Sequence, residues 1–442
     1  MDVPSDHRKL NYKQMKRIIF SWIILLIIYY LNINAQNVVF HNYFNDQTLR
    51  IDFYLAGNKD NCQVFWHDLK REGNWAGRKN FLFDTVRYGN FLIEVYDSLS
   101  NKFIYSKSFS TFFEEWQTTN EAKNINKSFE QSVLIPFPQK TIEFKIYKRN
   151  RNNEFIYINH QYINPASYFI VNDKYQKVKY SELIINGSCE NKIDIVFLAD
   201  GYTVNELGKF KKDVERFTKN IFSTSPFNEQ KTKFNIRLVE TISNENGTDI
   251  PGENIWKNTV LNTHFYTFGS ERYLTTMNNF IVRNYAGIVP YDYIYIIVNS
   301  SKYGGGGVYN HLNVVSSDNK YSEFVFIHEF GHGFAGLGDE YYLSSVSYQD
   351  YYNLNVEPVQ PNITSLINFE SKWKDLLDTD TPIPTPVDPV YKNKIGVFEG
   401  AGYVSKGMYR PYLNCIMKSK TAKEFCPVCK KAIKYAIEIN CD

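Results

Sequence analysis

Ser322-Glu323-Phe324-Val325-Phe326-Ile327-His328-Glu329-Phe330-Gly331-His332-Gly333-Phe334-Ala335-Gly336-Leu337-Gly338-Asp339-Glu340-Tyr341 is the stretch that decides how this chain is read. An apolar run leads into two imidazoles four residues apart. At 3.6 residues per turn, positions i and i+4 share one face of a helix. Ser322 is a candidate N-cap for that helix. Gly costs about 1 kcal/mol against Ala in a helix interior, so Gly331, Gly333 and Gly336 predict an end near Gly336 and a turn there.

Two histidines so placed can ligate one metal ion while Glu329 is rotated toward the open coordination position. The spacing is that of a zinc-dependent hydrolase, with Zn2+ as the cofactor. Glu329 would take a proton from metal-acidified water as that water attacks a polarised carbonyl, then return it to the leaving amine. The reaction implied is peptide-bond hydrolysis. A catalytic zinc usually has three protein ligands, and Asp339 is expected as the third, carried back by the turn. In the metzincin pattern the third ligand follows the second His by six residues, with a Gly three before it. Gly336 precedes Asp339 by three, but Asp339 follows His332 by seven, so Glu340 and residues farther downstream stay open as alternatives.

Upstream, Lys192-Ile193-Asp194-Ile195-Val196-Phe197-Leu198-Ala199-Asp200 and Tyr293-Ile294-Tyr295-Ile296-Ile297-Val298 read as buried strands, and Thr203-Val204-Asn205-Glu206 is a capping-box pattern opening a helix. Strands alternating with helices indicate an α/β domain. Gly304, Gly305, Gly306 and Gly307 are not followed by Lys-Ser/Thr, which excludes a P-loop. Beside a metal helix they suit a loop forming a cleft wall against an extended substrate. Downstream, the Pro- and Asp-rich stretch 357–390 reads as an irregular surface loop. Met417, in Cys415-Ile416-Met417, is a candidate for the turn that underlies the zinc in metzincins. Tyr403 and Tyr409 are candidate oxyanion donors.

Between residue 38 and about residue 163, short β-rich runs such as Leu49-Arg50-Ile51-Asp52-Phe53-Tyr54 and Phe91-Leu92-Ile93-Glu94-Val95-Tyr96 are parted by Gly, Asn and Asp, a β-sandwich pattern. The expected architecture is an α+β or α/β multidomain chain. A β-sandwich occupies residues 36–165, and a metzincin-like zinc-protease domain with a mixed sheet and an active-site helix occupies residues 166–442.

Residues 1–35 read as a cleaved export signal: basic Lys13, Lys16 and Arg17, an apolar stretch from Ile18 to Leu31, and Ala35 at the junction. That stretch is 14 residues long, short of the about 20 needed to span a bilayer, so no stable membrane insertion is expected after cleavage. Its removal takes five of the 50 Lys and Arg and two of the 47 Asp and Glu, leaving 45 of each. A net charge near zero argues against nucleic acid or anionic membrane as an electrostatic partner. The expected location is exported: secreted, periplasmic or at the cell surface. In an exported chain, Cys62, Cys189, Cys415, Cys426, Cys429 and Cys441 are expected to form a disulfide framework. The competing reading is a structural zinc site from Cys415, Cys426, Cys429 and Cys441.

These motifs together resemble the IgA peptidase family of secreted zinc metalloendopeptidases. The resemblance rests on Val196-Phe197-Leu198-Ala199-Asp200-Gly201-Tyr202-Thr203, on Gly304 to Gly307, on His328 to Tyr341, and on Cys415-Ile416-Met417 followed by Phe425-Cys426-Pro427-Val428-Cys429. Phe109-Ser110-Thr111-Phe112-Phe113-Glu114-Glu115-Trp116-Gln117 is similar to part of the family's N-terminal accessory β domain. The resemblance implies a zinc endopeptidase acting on a protein or glycoprotein, immunoglobulin A for some members, with His328, His332 and Asp339 on the metal and Glu329 as base. The rival, from another class, is a secreted binding or adhesion protein with a structural or vestigial zinc site. A closed four-ligand metal would mark it, but Glu329 would have no purpose there.

Overall fold

Alternation of apolar residues builds the N-terminal strands. The computed structural model describes residues 38–172, 178–342 and 351–441; the export signal read in residues 1–35 lies outside them. Strand β1 (Phe44–Gly57) pairs antiparallel with β2 (Cys62–Asn74) and β5 (Lys127–Pro138), and the short β8 (Ile170–Val171) adds parallel to β2, so this sheet extends past residue 165. In a second sheet, β3 (Phe91–Asp97) lies between β4 (Phe103–Phe109) and β6 (Ile142–Arg149), with β7 (Phe155–Ile163) outside β6. The two sheets share one core. Trp66 of the first meets Phe53 of its own sheet and Phe144 of the other, with ring centroids 5.9 and 6.0 Å away. A short helix α1 (Phe112–Gln117) follows β4, capped by Thr111, whose Oγ1 accepts from the Glu114 N–H at 3.1 Å.

The rest of the chain supplies a six-stranded mixed sheet in the order β13-β14-β12-β10-β11-β9, from β9 (Tyr180–Ile184), β10 (Ile193–Asp200), β11 (Phe234–Val239), β12 (Tyr293–Val298), β13 (Gly305–Val308) and β14 (Leu312–Ser316). The four inner strands run parallel and both edges antiparallel. Every residue of the inner four is buried, as parallel strands covered on both faces require. The pleat decides what covers each face. Ile195, Phe197, Tyr295 and Ile297 point toward helices α2 (Leu207–Ile221), α4 (Ser322–Ala335) and α5 (Pro427–Asn440). Val196, Leu198, Ile294 and Ile296 join α3 (Asn279–Ala286) and the N-terminal sheets in one core.

Polar contacts fix this junction. Buried Arg50 pairs with Asp52 and Glu72 and reaches Asn284 Oδ1 of α3 at 2.7 Å. The capping box expected at Thr203 and Glu206 forms. Asp200, buried where β10 ends, accepts from the N–H groups of Leu261 and Thr263 at 2.9 and 3.0 Å and so fixes the loop they occupy. Among the described residues no helix is long and apolar enough to cross a membrane.

Candidate active site

Helix α4 lies directly on β13 and β14. Ser322 is its first residue rather than its N-cap, because its hydroxyl donates to Ser316 O at 2.5 Å and ties the helix to the end of β14. The helix ends as the glycines predict. Gly336 is left-handed (φ 61, ψ 28), its N–H reaches His332 O at 3.1 Å, and the Leu337 N–H reaches Gly331 O at 3.2 Å, the paired bonds of a glycine C-cap. A Cβ on Gly336 would sit 3.0 Å from Tyr88, in the segment that leads into β3.

The turn brings Asp339 back to the histidines. Its Oδ1 lies 3.2 Å from His328 Nε2 and 3.3 Å from His332 Nε2, and the two nitrogens are 3.2 Å apart. Three ligands at about 2.0–2.1 Å from a tetrahedral zinc have mutual separations of about 3.3 Å, so the triangle fits that ion. Asp339 Oδ1 is buried and receives no hydrogen bond, although it faces two ring nitrogens. Each histidine is held by its other nitrogen: His328 Nδ1 donates to Ile416 O at 3.0 Å and His332 Nδ1 to Leu337 O at 2.6 Å. Those bonds fix the tautomer that leaves Nε2 free for a metal. Glu329 offers a carboxylate oxygen within 4.8 Å of the histidine nitrogens. Burial pushes its carboxyl up, Asp339 adds to that, and the imidazoles oppose it. Burial would also raise Asp339, but His332 and His328 hold it well below the usual carboxylate range.

Strands β15 (Phe398–Ala401) and β16 (Val404–Arg410) form a hairpin whose two turn residues, Gly402 and Tyr403, have φ of 56 and 68. Positive φ at both positions is the type I′ geometry that suits a twisted hairpin. The turn is pinned to the segment that carries the acid: the Gly402 N–H donates to Asp339 O at 2.9 Å and the Tyr403 N–H to Tyr341 O at 3.1 Å. The Tyr403 hydroxyl donates to Asp339 Oδ2, so its structural place is behind the acid. Met417 is buried under the helix, where a Cβ on Gly331 would meet its Sδ at 2.8 Å, and its carbonyl accepts from the Glu340 N–H at 2.8 Å.

A cavity of about 460 Å³ opens over these groups. Gly304 to Gly307 line it, but Gly305 to Gly307 belong to an edge strand rather than a loop. A Cβ on Gly307 would lie 2.3 Å from Glu329 O, so only bare backbone lets α4 pack this closely. The outer edge at Gly305 is already bonded, its N–H to Arg272 O and its carbonyl to the Leu274 N–H, each at 3.3 Å. Tyr409 is not brought to the cavity. Its backbone bonds Thr364 in both directions, and the pleat of β16 turns Met408 and Arg410 inward instead.

Sequence reasoning missed several walls. Arg272, Tyr303 and Tyr341 line the cavity, and an Arg272 nitrogen donates to the Tyr341 hydroxyl at 3.3 Å. Tyr341 closes the quoted motif and was visible there; Arg272 sits in a stretch without periodicity and carried no signal. Tyr88, Ser110 and Glu115 add a wall from the N-terminal part, where no functional residue stood out. The disulfide expectation is corrected as well: all six cysteines are unpaired. Cys415, Cys426 and Cys429 gather around Glu340, whereas Cys441 follows the far end of α5, whose 14 residues span about 21 Å at 1.5 Å each.

Compared with known families, residues 182–393 and 387–437 match IgA Peptidase M64, and residues 39–159 match Peptidase M64 N-terminus. The chain belongs to the IgA peptidase M64 family. Its M64 region contains His328, Glu329, His332, Asp339, Tyr403 and Met417, and the M64 N-terminal region contains Tyr88, Ser110 and Glu115. Membership makes the chain a peptidase with an accessory N-terminal region. No curated protein matches it.

Proposed function

We propose that this M64 peptidase is an exported, zinc-dependent endopeptidase with an accessory N-terminal β-sandwich that runs to β8 and a metzincin-like catalytic domain that begins with β9. The observation that carries the reading is the triangle of two imidazole nitrogens and one unpartnered carboxylate oxygen, with edges of 3.2–3.3 Å. His328, His332 and Asp339 are its metal ligands. Zinc held there supplies a Lewis acid that polarises a peptide carbonyl and acidifies water.

The chain's own groups do the rest. Glu329, raised by burial, takes the proton of the attacking water and delivers it to the leaving amine. Ile416 O and Leu337 O hold the imidazoles in register, and Met417 supports the helix from below. Arg272 and Tyr341 line the cavity and are the candidate donors to a developing oxyanion, while the Tyr403 hydroxyl donates to Asp339. The substrate is a protein or glycoprotein held between the M64 region and the wall that Tyr88, Ser110 and Glu115 of the N-terminal region supply. Export rests on the basic and apolar pattern of residues 1–35.

The test is zinc content together with cleavage of an unbiased protein mixture by wild type, Glu329→Gln and a chelated sample. Glu329→Gln is expected to keep its zinc and to lose about 10²–10⁴-fold in hydrolysis, the usual contribution of a general base. Full activity in that variant sinks the mechanism. Zinc without cleavage in wild type moves the reading to a highly selective or latent enzyme, or to the binding protein.

A further inference from the structure

A second group of ligand-type side chains lies behind the first. Glu340, Cys415, Cys426 and Cys429 each present one ligand atom, all within 4.8 Å of one another. Cys415 Sγ is 3.8 Å from Cys429 Sγ, and Glu340 Oε1 is 3.1 Å from Cys429 Sγ and 3.8 Å from Cys426 Sγ. A tetrahedral zinc with sulfur at about 2.3 Å and oxygen at about 2.0–2.2 Å sets its ligands about 3.8 Å apart for two sulfurs and about 3.5 Å for sulfur and oxygen. The observed separations bracket those values.

The surroundings are those of a built site. All four residues are buried, none more than 2% exposed. Glu340 Oε2 is buried with no hydrogen-bond partner, and a carboxylate shut among three thiols is unfavourable unless a cation balances it. The Asn362 amide donates to Glu340 Oε1 at 3.0 Å and orients it. Backbone N–H groups point at sulfur, from Cys426 to Cys415 Sγ at 3.2 Å and from Cys429 to Cys426 Sγ at 3.5 Å, and so orient the thiols toward the shared centre. Cys426 and Cys429 sit at the start of α5, three residues apart, as one knuckle.

We propose that Cys415, Cys426, Cys429 and Glu340 bind a second, structural zinc ion, closed by four protein ligands. Glu340 takes the place that composition assigned to Cys441. The site joins three segments that the first centre depends on. Glu340 follows Asp339, and its N–H holds Met417 O. Cys415 precedes Ile416, whose carbonyl fixes His328. The third segment is the start of α5. The ion clamps the turn and the third ligand of the first centre from behind.

The experiment counts metal on the full chain and does not measure activity, so it stands apart from the peptidase reading. Wild type, a His328→Ala/His332→Ala double variant and Cys429→Ser are compared for zinc per chain and, after loading with Co2+, for thiolate-to-cobalt charge-transfer absorption. Two equivalents are expected in wild type and one in each variant, with the thiolate band kept in the histidine variant and lost in Cys429→Ser. A single equivalent in wild type that disappears with the histidines overturns the proposal. So does cobalt bound to wild type without a thiolate band, or non-reducing peptide mapping that joins any two of the three cysteines. Wild type and the histidine variant decide the matter even where Cys429→Ser fails to fold.

Discussion

Tyr403→Phe separates two roles for one hydroxyl. The Tyr403 O–H donates to Asp339 Oδ2 while Oδ1 faces the histidine nitrogens, so it holds the acid in a one-oxygen pose toward a metal. The substitution keeps the ring and the left-handed turn backbone (φ 68) and removes only the donor. A hydrogen bond to a charged group contributes about 1.5–3 kcal/mol, and at 1.4 kcal/mol per decade this corresponds to about 10–100-fold, the usual loss when a ligand's outer partner is removed. Zinc affinity, measured by competition with a chromophoric chelator, is expected to weaken by about that factor. Most of the hydrolytic rate is expected to return at saturating zinc. If affinity is unchanged and kcat at saturating zinc falls by about 10²–10³-fold, as for a lost oxyanion donor, the positioning argument is refuted.

Two further outcomes follow from packing and charge. Gly307→Ala places a methyl 2.3 Å from Glu329 O, and since backbone cannot yield as a side chain does, a loss of about 1–3 kcal/mol in stability is expected. Urea unfolding checks this; an unchanged midpoint contradicts the close packing of α4 on β13. His311 is buried against Phe112, ring centroids 5.2 Å apart, and burial, with Arg283 nearby, pushes its pKa well below the usual value. The folded state then binds fewer protons than the unfolded one below about pH 6.5, so the stability this neutral ring contributes is present above that pH and is lost as pH falls. Wild type is expected to lose stability more steeply than His311→Gln between pH 6.5 and 5, by up to about 1.4 kcal/mol per pH unit; equal slopes would remove His311 as the cause.

Local rules carried much of the site. Period and glycine chemistry placed His328 and His332 on one helix face, ended the helix at Gly336 and returned Asp339, because each of these depends on residues a few positions apart. The buried strands β10 and β12 were legible for the same reason: an unbroken apolar run has few other places to go. Ser322 was misread because the nearest acceptor for its hydroxyl, Ser316 O, belongs to a different element. Tyr409 was misplaced because its distance from Tyr403 along the chain conceals a hairpin turn that aims the two side chains differently.

The cysteines show the limit most clearly. Their count and spacing suggested pairing or a four-cysteine set, but spacing cannot reveal that α5 carries Cys441 about 21 Å away or that Glu340 fills the gap. The cavity wall from Tyr88, Ser110 and Glu115 was equally hidden. The chain by itself determined which residues share a helix face, which runs form strands and where the turn must fall, since those follow from backbone geometry over short range. Only the tertiary structure decided which distant groups meet, because the two faces of the mixed sheet had to be covered, one by helices and the other by the N-terminal sheets, and that covering set where Arg272, Tyr403 and the thiol cluster came to rest.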